Sequence, residues 1–270
     1  MTETISYLES PLEISVSDVL TFTKCKRAFA YKLDGKKVNF RFEKSTYTGI
    51  KTHKILSDFA RYFEANLFER SLEKKSFNEI YYYLRSLFFN SVKKELETDR
   101  LSSYDEIMEF LDNFSGYIAS IIEKTKNTQI FTFPEKPIKF ELFKNLYIKG
   151  RIDVLINDGE KLRLIDYKTK SENVNDDTIQ LSLYYKGLKE AYNRKVIPTV
   201  LYFEKNWINS EELDEDLINN VLNLITSELK KFFKKYKTQN YEFEVESFEY
   251  CKFCSLKNTP KCKLLRNSSI

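Results

Sequence analysis

Apolar residues recur at helical spacing through much of this chain and then, near its middle, at a spacing of two. From Ser15 to Leu33 the run SVSDVLTFTKCKRAFAYKL opens on serines able to cap a helix and carries Val19, Phe22, Ala28 and Phe29 at near-helical intervals. It predicts one helix with Cys25 near its middle. Ile55, Leu56, Phe59, Phe63 and Leu67 then mark an amphipathic helix, and two further helical runs, FNEIYYYLRSLFFNSVKKEL and SYDEIMEFLDNFSGYIASIIEKT, make residues 54–126 almost wholly helical. That segment reads as a helical insertion or arm.

Pro134 and Pro137 punctuate the chain, and three strand-like runs follow: IKFELF, YIKGRIDVLI and KLRLIDYKT. The run NVNDDTIQLSLYYKGLKEAYNR resumes a helix with Asp176 or Asp177 as its cap, VIPTVLYFE reads as a strand, and EDLINNVLNLITSELKKFFKKYKTQ is a last helix before a cysteine-bearing tail. Asp158-Gly159 suits a two-residue hairpin turn, whose central positions need positive φ. That turn would set Leu155 opposite Leu162 and Asp153 opposite Leu164. Alternation then puts Asp153, Leu155, Leu162, Leu164, Asp166 and Lys168 on one face.

Composition narrows the class. With 270 residues, 42% of them apolar, the chain can bury a sizeable core, so one main domain with an insertion is expected. A net charge of +4, from 44 Lys and Arg against 40 Asp and Glu, neither requires nor excludes a polyanionic partner. None of the six glycines sits in a phosphate-binding loop pattern, which argues against a nucleotide-driven motor. The opening residues lack a basic region followed by an apolar one, and no run reaches the roughly 18 apolar residues of a membrane span. The expectation is a cytoplasmic protein with no membrane role, in which four cysteines favour metal binding or reactivity over disulfides.

On the expected hairpin face, Asp153 and Asp166 become diagonal neighbours with backbones roughly 7–8 Å apart, close enough for both carboxylates to reach one ion. Two carboxylates on an apolar scaffold are costly without a cation, and oxygen ligands suit Mg2+ or Mn2+. Asp166 with Lys168, taken alone, also fits a surface ion pair. His53, the single histidine, stands at a helix start; by itself it fits a structural role as well as a ligand. Gln180 and Tyr184 lie four apart, neighbours on one helix face. Cys251, Cys254 and Cys262 form C-x2-C-x7-C, and with the distant Cys25 they make four thiols that suit zinc or an iron–sulfur cluster. Lys24, Lys26, Arg27, Tyr31 and Lys32 combine cations with a ring, suited to phosphate contact and base stacking on a single strand, or to an ordinary solvated helix face.

In this order the residues resemble the PD-(D/E)XK nucleases, within them the RecB/AddB-like branch that includes the CRISPR-associated Cas-four nucleases. GRIDVL looks like the family's G-x-x-D strand and IDYKT its D-x-K strand. Glu141 in KFELF stands where the branch often has an acid, QLSLY matches its Q-x-x-x-Y helix, and GIKTH its early G-x-x-x-H. The resemblance spans nearly the whole chain. It implies an α/β (α+β) fold: a restriction-endonuclease-like core with a central mixed sheet flanked by helices, forming a single nuclease domain over residues 1–270. Residues 54–126 would be inserted in it, and an iron–sulfur staple would join the 247–270 region to Cys25.

It also implies roles. His53, Asp153, Asp166 and the backbone carbonyl of Tyr167 would hold Mg2+ or Mn2+, with Glu141 assisting. Lys168 would orient or help deprotonate a water, and Gln180 and Tyr184 would contact DNA and support the active face. Cys25, Cys251, Cys254 and Cys262 would hold a [4Fe–4S] cluster, with zinc the other candidate. The expected activity is a metal-dependent deoxyribonuclease, an exonuclease acting on single-stranded DNA or DNA ends. It would serve CRISPR spacer acquisition beside integrase proteins, or DNA repair and recombination beside a helicase. Two other classes share these features: a non-catalytic cluster-bearing DNA-binding subunit of a larger nuclease or integrase complex, and a zinc-stapled regulator that binds nucleic acid without cleaving it.

Overall fold

Ser15 ends a short strand and begins a helix, and its side chain accounts for the change. Strand β1 (Leu12–Ser15) runs parallel to β4 (Leu146–Ile152), pairing Leu12 with Leu146 through Ser15 with Lys149. Ser15 Oγ accepts from Asp18 N at 3.1 Å while the Asp18 carboxylate accepts from Ser15 N at 2.8 Å. This reciprocal box satisfies two backbone donors at the start of α1 (Val16–Lys24). The computed structural model describes residues 8–38, 52–61, 72, 74–98, 104–126, 131–132, 135–157, 161–168, 174–189, 196–204, 207–237, 249–252, 254–257 and 262.

The single helix expected around Cys25 is two. Cys25 adopts extended geometry (φ −163°, ψ 104°), ending α1 and starting α2 (Lys26–Leu33), and its Sγ accepts from Ala28 N at 3.4 Å. The thiol takes the place of a capping oxygen, a role the helical apolar spacing on either side conceals.

The chain divides into two compact units, the first comprising residues 1–44, 139–150 and 219–270, the second residues 45–138 and 151–218. Among the described residues the strands form two sheets, where one central sheet was expected: a three-stranded sheet in the order β1-β4-β3, with β3 spanning Lys136–Phe143, and a five-stranded sheet in the order β2-β5-β6-β7-β8. In the latter, β2 is Phe131–Thr132, β5 Val154–Asn157, β6 Leu162–Lys168, β7 Val196–Glu204 and β8 Trp207–Glu212. The expected strand from Tyr147 to Ile156 is broken by a bend at Asp153, whose carbonyl accepts from Glu135 N at 2.9 Å.

In the first unit the aromatic rings of α1, α2 and α7 (Glu215–Lys237) interlock. Phe22 meets Phe29 and Phe232 edge-on at 5.4 and 5.5 Å, and Phe29 lies 5.1 Å from Phe232.

In the second unit α3 (52–61), α4 (Phe77–Thr98) and α5 (Tyr104–Thr125) bury one stripe each. Ile80, Leu84, Phe88 and Val92 of α4 recur every four residues and are fully buried, as the apolar spacing predicts. These stripes pack with Ile107, Phe114 and Ile118 of α5 and with Val154, Ile156, Ile165 and Tyr167 of β5 and β6. The segment expected as an insertion thus covers one face of the hairpin. The alternate positions, Leu155, Leu164 and Asp166, belong to the other face.

The hairpin register differs from the expected one by two residues. Leu155 pairs with Leu164 and Asn157 with Leu162, so four residues, 158–161, connect the strands, the Asp158-Gly159 pair lying outside the described residues. An even shift leaves every side chain on its expected face. Strand β7 runs parallel to β6, which requires a crossover, and α6 (Val174–Lys189) supplies it. Asp176 and Asp177 lie inside its first turn and do not cap it; there their charges favour the helix N-terminus. Among the described residues no helix is long and apolar enough to cross a membrane.

Candidate active site

The bend at Asp153 places an acid where two strands part. Asp153 directly precedes Val154, whose partner Ile165 directly precedes Asp166, so both acids stand at the same end of the hairpin. Asp153 Oδ2 accepts from the backbone N–H of Tyr167 at 3.0 Å. Its Oδ1 lies 3.3 Å from Nδ1 of His53, in the first turn of α3. His53 Nε2 stands 3.0 Å from the carbonyl oxygen of Tyr167, which can only accept. One imidazole therefore stands between a carboxylate and a carbonyl oxygen.

Asp166 is 2% exposed, on the hairpin face opposite the helical core. Gln180 Nε2, from α6, donates to its Oδ1 at 2.9 Å and lies 3.4 Å from the hydroxyl of Tyr184, one turn on and buried. Asp166 Oδ2 is buried with no hydrogen bond among the described residues.

Tyr167 fixes both ends of the cluster. Its ring sits in the helical core, edge-on to Phe114 at 5.6 Å and to His53 at 5.9 Å. Burial, aided by the charge of Asp153, pushes its phenol well above the ordinary range. An anchored ring holds the backbone on either side of it, so Asp153 and His53 meet a rigid N–H and C=O. Residue spacing carries no mark of the N–H contact to Asp153 or of the amide contact from Gln180 to Asp166; only the crossover brings α6 to β6.

His53, Asp153, Asp166, Tyr167, Gln180 and Tyr184 thus come together in the second unit. Lys168 lies in β6 two positions after Asp166, its backbone paired with Tyr202; its side chain is outside the described residues. Glu141 belongs to the first unit, where its exposed carboxylate accepts from Asn145 N at 2.9 Å across the β3–β4 turn. The basic group on α1 and α2 is largely engaged within the fold. Lys26 bonds Glu228 at 2.9 Å, Lys32 bonds Asp18 at 2.6 Å, and Arg27 is buried. Lys24 lies over the Tyr250 ring at 5.6 Å, and the Tyr31 ring carries Lys36 at 4.5 Å.

Cys25, Cys251, Cys254 and Cys262 all belong to the first unit and none is in a disulfide. Cys25 and Cys254 pack in one small apolar cluster with Ala28 and Val38. Burial raises both thiols above their ordinary value, and neighbouring cysteines raise them further. Cys254 Sγ accepts from Leu256 N at 3.4 Å.

Among the described residues, no group of three or more His, Cys, Asp or Glu side chains is arranged to hold an ion. For the thiols, the donor chemistry suits a cluster but the ligand geometry is absent. For the acids the requirement is lower. Mg2+ is commonly bound by one or two carboxylates with water and substrate phosphate completing its shell, and Asp153, Asp166 and the Tyr167 carbonyl fit that donor set.

The family model of the PD-(D/E)XK nuclease superfamily matches residues 13–259. The chain belongs to that superfamily, and the match supports a hydrolytic nuclease. Among solved structures it resembles a candidate exonuclease from Eubacterium rectale, with TM-score 0.53 and 14% identity over 98% of this chain and 92% of that one; at this identity the likeness speaks for the fold alone. A second, SSO0001, aligns over 97% of this chain and 92% of its own at 15% identity, with a TM-score of 0.38 too low to carry an argument. No curated protein matches the sequence.

Proposed function

We propose that this protein is a divalent-metal-dependent deoxyribonuclease of the RecB/AddB-like branch. One observation carries the reading: Asp153 and Asp166 stand at the same end of one hairpin, each oriented by a fixed donor, the Tyr167 N–H and the Gln180 amide. Asp153, Asp166, the Tyr167 carbonyl and His53 would hold Mg2+ or Mn2+. Such an ion supplies Lewis acidity toward a phosphate oxygen and lowers the pKa of water. The chain's own residues do the rest. Gln180 holds the Asp166 carboxylate in one rotamer, Tyr167 holds Asp153, and the Tyr167 carbonyl, accepting from Nε2–H of His53, leaves Nδ1 on the Asp153 side as the nitrogen available to an ion. Lys168 is assigned the water-orienting role.

The substrate proposed is single-stranded DNA or DNA with free ends, attacked as an exonuclease. The order of motifs from His53 to Tyr184 supports this. The four cysteines are proposed to hold a [4Fe–4S] cluster that staples the ends of the first unit. The pathway is CRISPR spacer acquisition or DNA repair, with integrase proteins or a helicase as the corresponding partners. Anaerobically purified protein, incubated with end-labelled single- and double-stranded DNA with and without Mn2+ or Mg2+, tests the reading. Ion-dependent cleavage lost in Asp166→Ala and Lys168→Ala supports it. Absence of cleavage by folded protein would leave a DNA-binding subunit instead.

A further inference from the structure

The face that α6 lays on β6 and β7 changes character along its length. Asp177, Leu181, Tyr184 and Leu188 follow one another at intervals of four, three and four, so they form one stripe, and all four are buried. Three of them are the packing side chains that such a stripe carries. The fourth is a carboxylate, 6% exposed. Gln180, one turn after Asp177 on the same side, donates to Asp166 at 2.9 Å. Polar groups thus gather at the N-terminal end of the stripe, and the apolar ones follow.

Contacts at both ends fix the direction in which α6 crosses the sheet. Gln180 meets Asp166, near the end of β6. Tyr185 and Lys189 line one cavity with Val196 and Ile197 of β7, which pair with Leu162 and Arg163 at the start of β6. From Gln180 to Lys189 the helix therefore runs back towards the start of that strand. Asp177, three residues before Gln180, lies about 4.5 Å further the other way. That direction leads past Asp166, at the end of the hairpin where Asp153 also stands, so three acids share one end of the sheet. The macrodipole favours an acid anywhere in the first turn of α6, and the less buried Asp176 already supplies one. It does not call for a carboxylate in the packing face.

We propose that Asp177 is a third acid of the Asp153 and Asp166 site, a positioning residue that draws a divalent ion by its charge without ligating it. The proposal deepens the nuclease reading and rests on it for the identity of the ion. Among the described residues no three His, Cys, Asp or Glu side chains are arranged to hold an ion, so a direct bond is not what the placement of Asp177 offers. A charge needs no contact. Across several ångströms of partly buried protein, an added negative charge strengthens the hold on a divalent cation, as the count of charges does in cation sites generally. The site then takes up its ion before DNA arrives.

The test is a Mn2+ titration of the full chain without DNA, with free ion counted by electron paramagnetic resonance, so that binding is read apart from cleavage. Asp177→Asn should bind Mn2+ about tenfold more weakly. Asp105→Asn, which removes the same charge from an exposed position on α5, should bind like the wild type. As a second measurement that needs no variant, the anomalous peak in wild-type crystals soaked in Mn2+ should lie within about 8 Å of the Asp177 carboxylate, the screening length at physiological salt. Unchanged affinity in Asp177→Asn, an equal loss in Asp105→Asn, or a peak farther away would overturn the proposal. So would a lower melting temperature in EDTA with Mn2+ affinity intact, which would make Asp177 a structural acid of the helix start. Asp177-dependent Mn2+ binding by a chain that never cleaves DNA would uphold this inference and refute the nuclease reading; Mn2+-dependent cleavage with Asp177-independent affinity would do the reverse.

Discussion

The backbone N–H of Tyr167 donates to the Asp153 carboxylate at 3.0 Å, so the residue that follows one acid of the hairpin fixes the orientation of the other. Because the Tyr167 ring is locked in the helical core, the geometry of the site is set by packing on the far side of the sheet. Site and core are therefore coupled, and the coupling is measurable.

Phe114 is fully buried and lies edge-on to both Tyr167 and Phe88. Phe114→Ala is expected to cost about 3–5 kcal/mol of stability. Urea unfolding measures this, and the folded fraction should also lose nuclease activity because Tyr167 is freed to shift. A variant as stable as the wild type would contradict the packing described.

Gln180 donates to the Asp166 carboxylate, and on the proposed reading it positions that ligand. Gln180→Ala should lower activity by about 10- to 100-fold and raise the Mn2+ concentration needed for half-maximal rate, the signature of a residue that positions a ligand. Metal-titrated rates check this. A loss of rate with an unchanged Mn2+ requirement would place Gln180 on the DNA.

The hairpin shows what the sequence could and could not carry. Its faces were legible, because alternation fixes which side each residue takes and the two-residue change of register conserves that parity. The register itself was not, since four residues connect β5 to β6 where Asp158-Gly159 suggested two. Helices α3 to α5 could be read from their apolar stripes, yet not their destination on the back of the hairpin, because a stripe says only that something covers it. Cys25 stands between two helical runs with continuous spacing, and nothing in that spacing marks its extended backbone. Strand β8, WINSEE, carries too few β-formers to be recognised and owes its place to pairing with β7.

Asp18 gives the first unit an acid-sensitive cap. Burial opposes its ionisation, but bonds from Lys32 and Ser15 prevail and hold its pKa below the ordinary 3.8. A depressed carboxylate stabilises the fold above its unfolded pKa and loses that contribution as pH falls through the folded value. Urea midpoints of wild type and Asp18→Asn should therefore differ at pH 7 and converge as the pH falls below the depressed pKa of Asp18. A gap that stays constant with pH would contradict this.

The cysteines make a separate prediction. Anaerobic protein should carry iron and acid-labile sulfide, and Cys254→Ser should lose both while lowering the melting temperature, because a metal site adds its binding free energy to folding. Elemental analysis that finds zinc would assign the site to zinc instead.

The most direct test of the central claim is a set of single-turnover cleavage rates in Mn2+ for the wild type, Asp153→Asn, Asp166→Asn and the double variant. If both carboxylates hold one ion, each single substitution should lower the rate by about a hundredfold or more, and the double should fall little further, since residues that act as a unit are not additive. Single variants that cleave near the wild-type rate, or losses that multiply in the double, would contradict it.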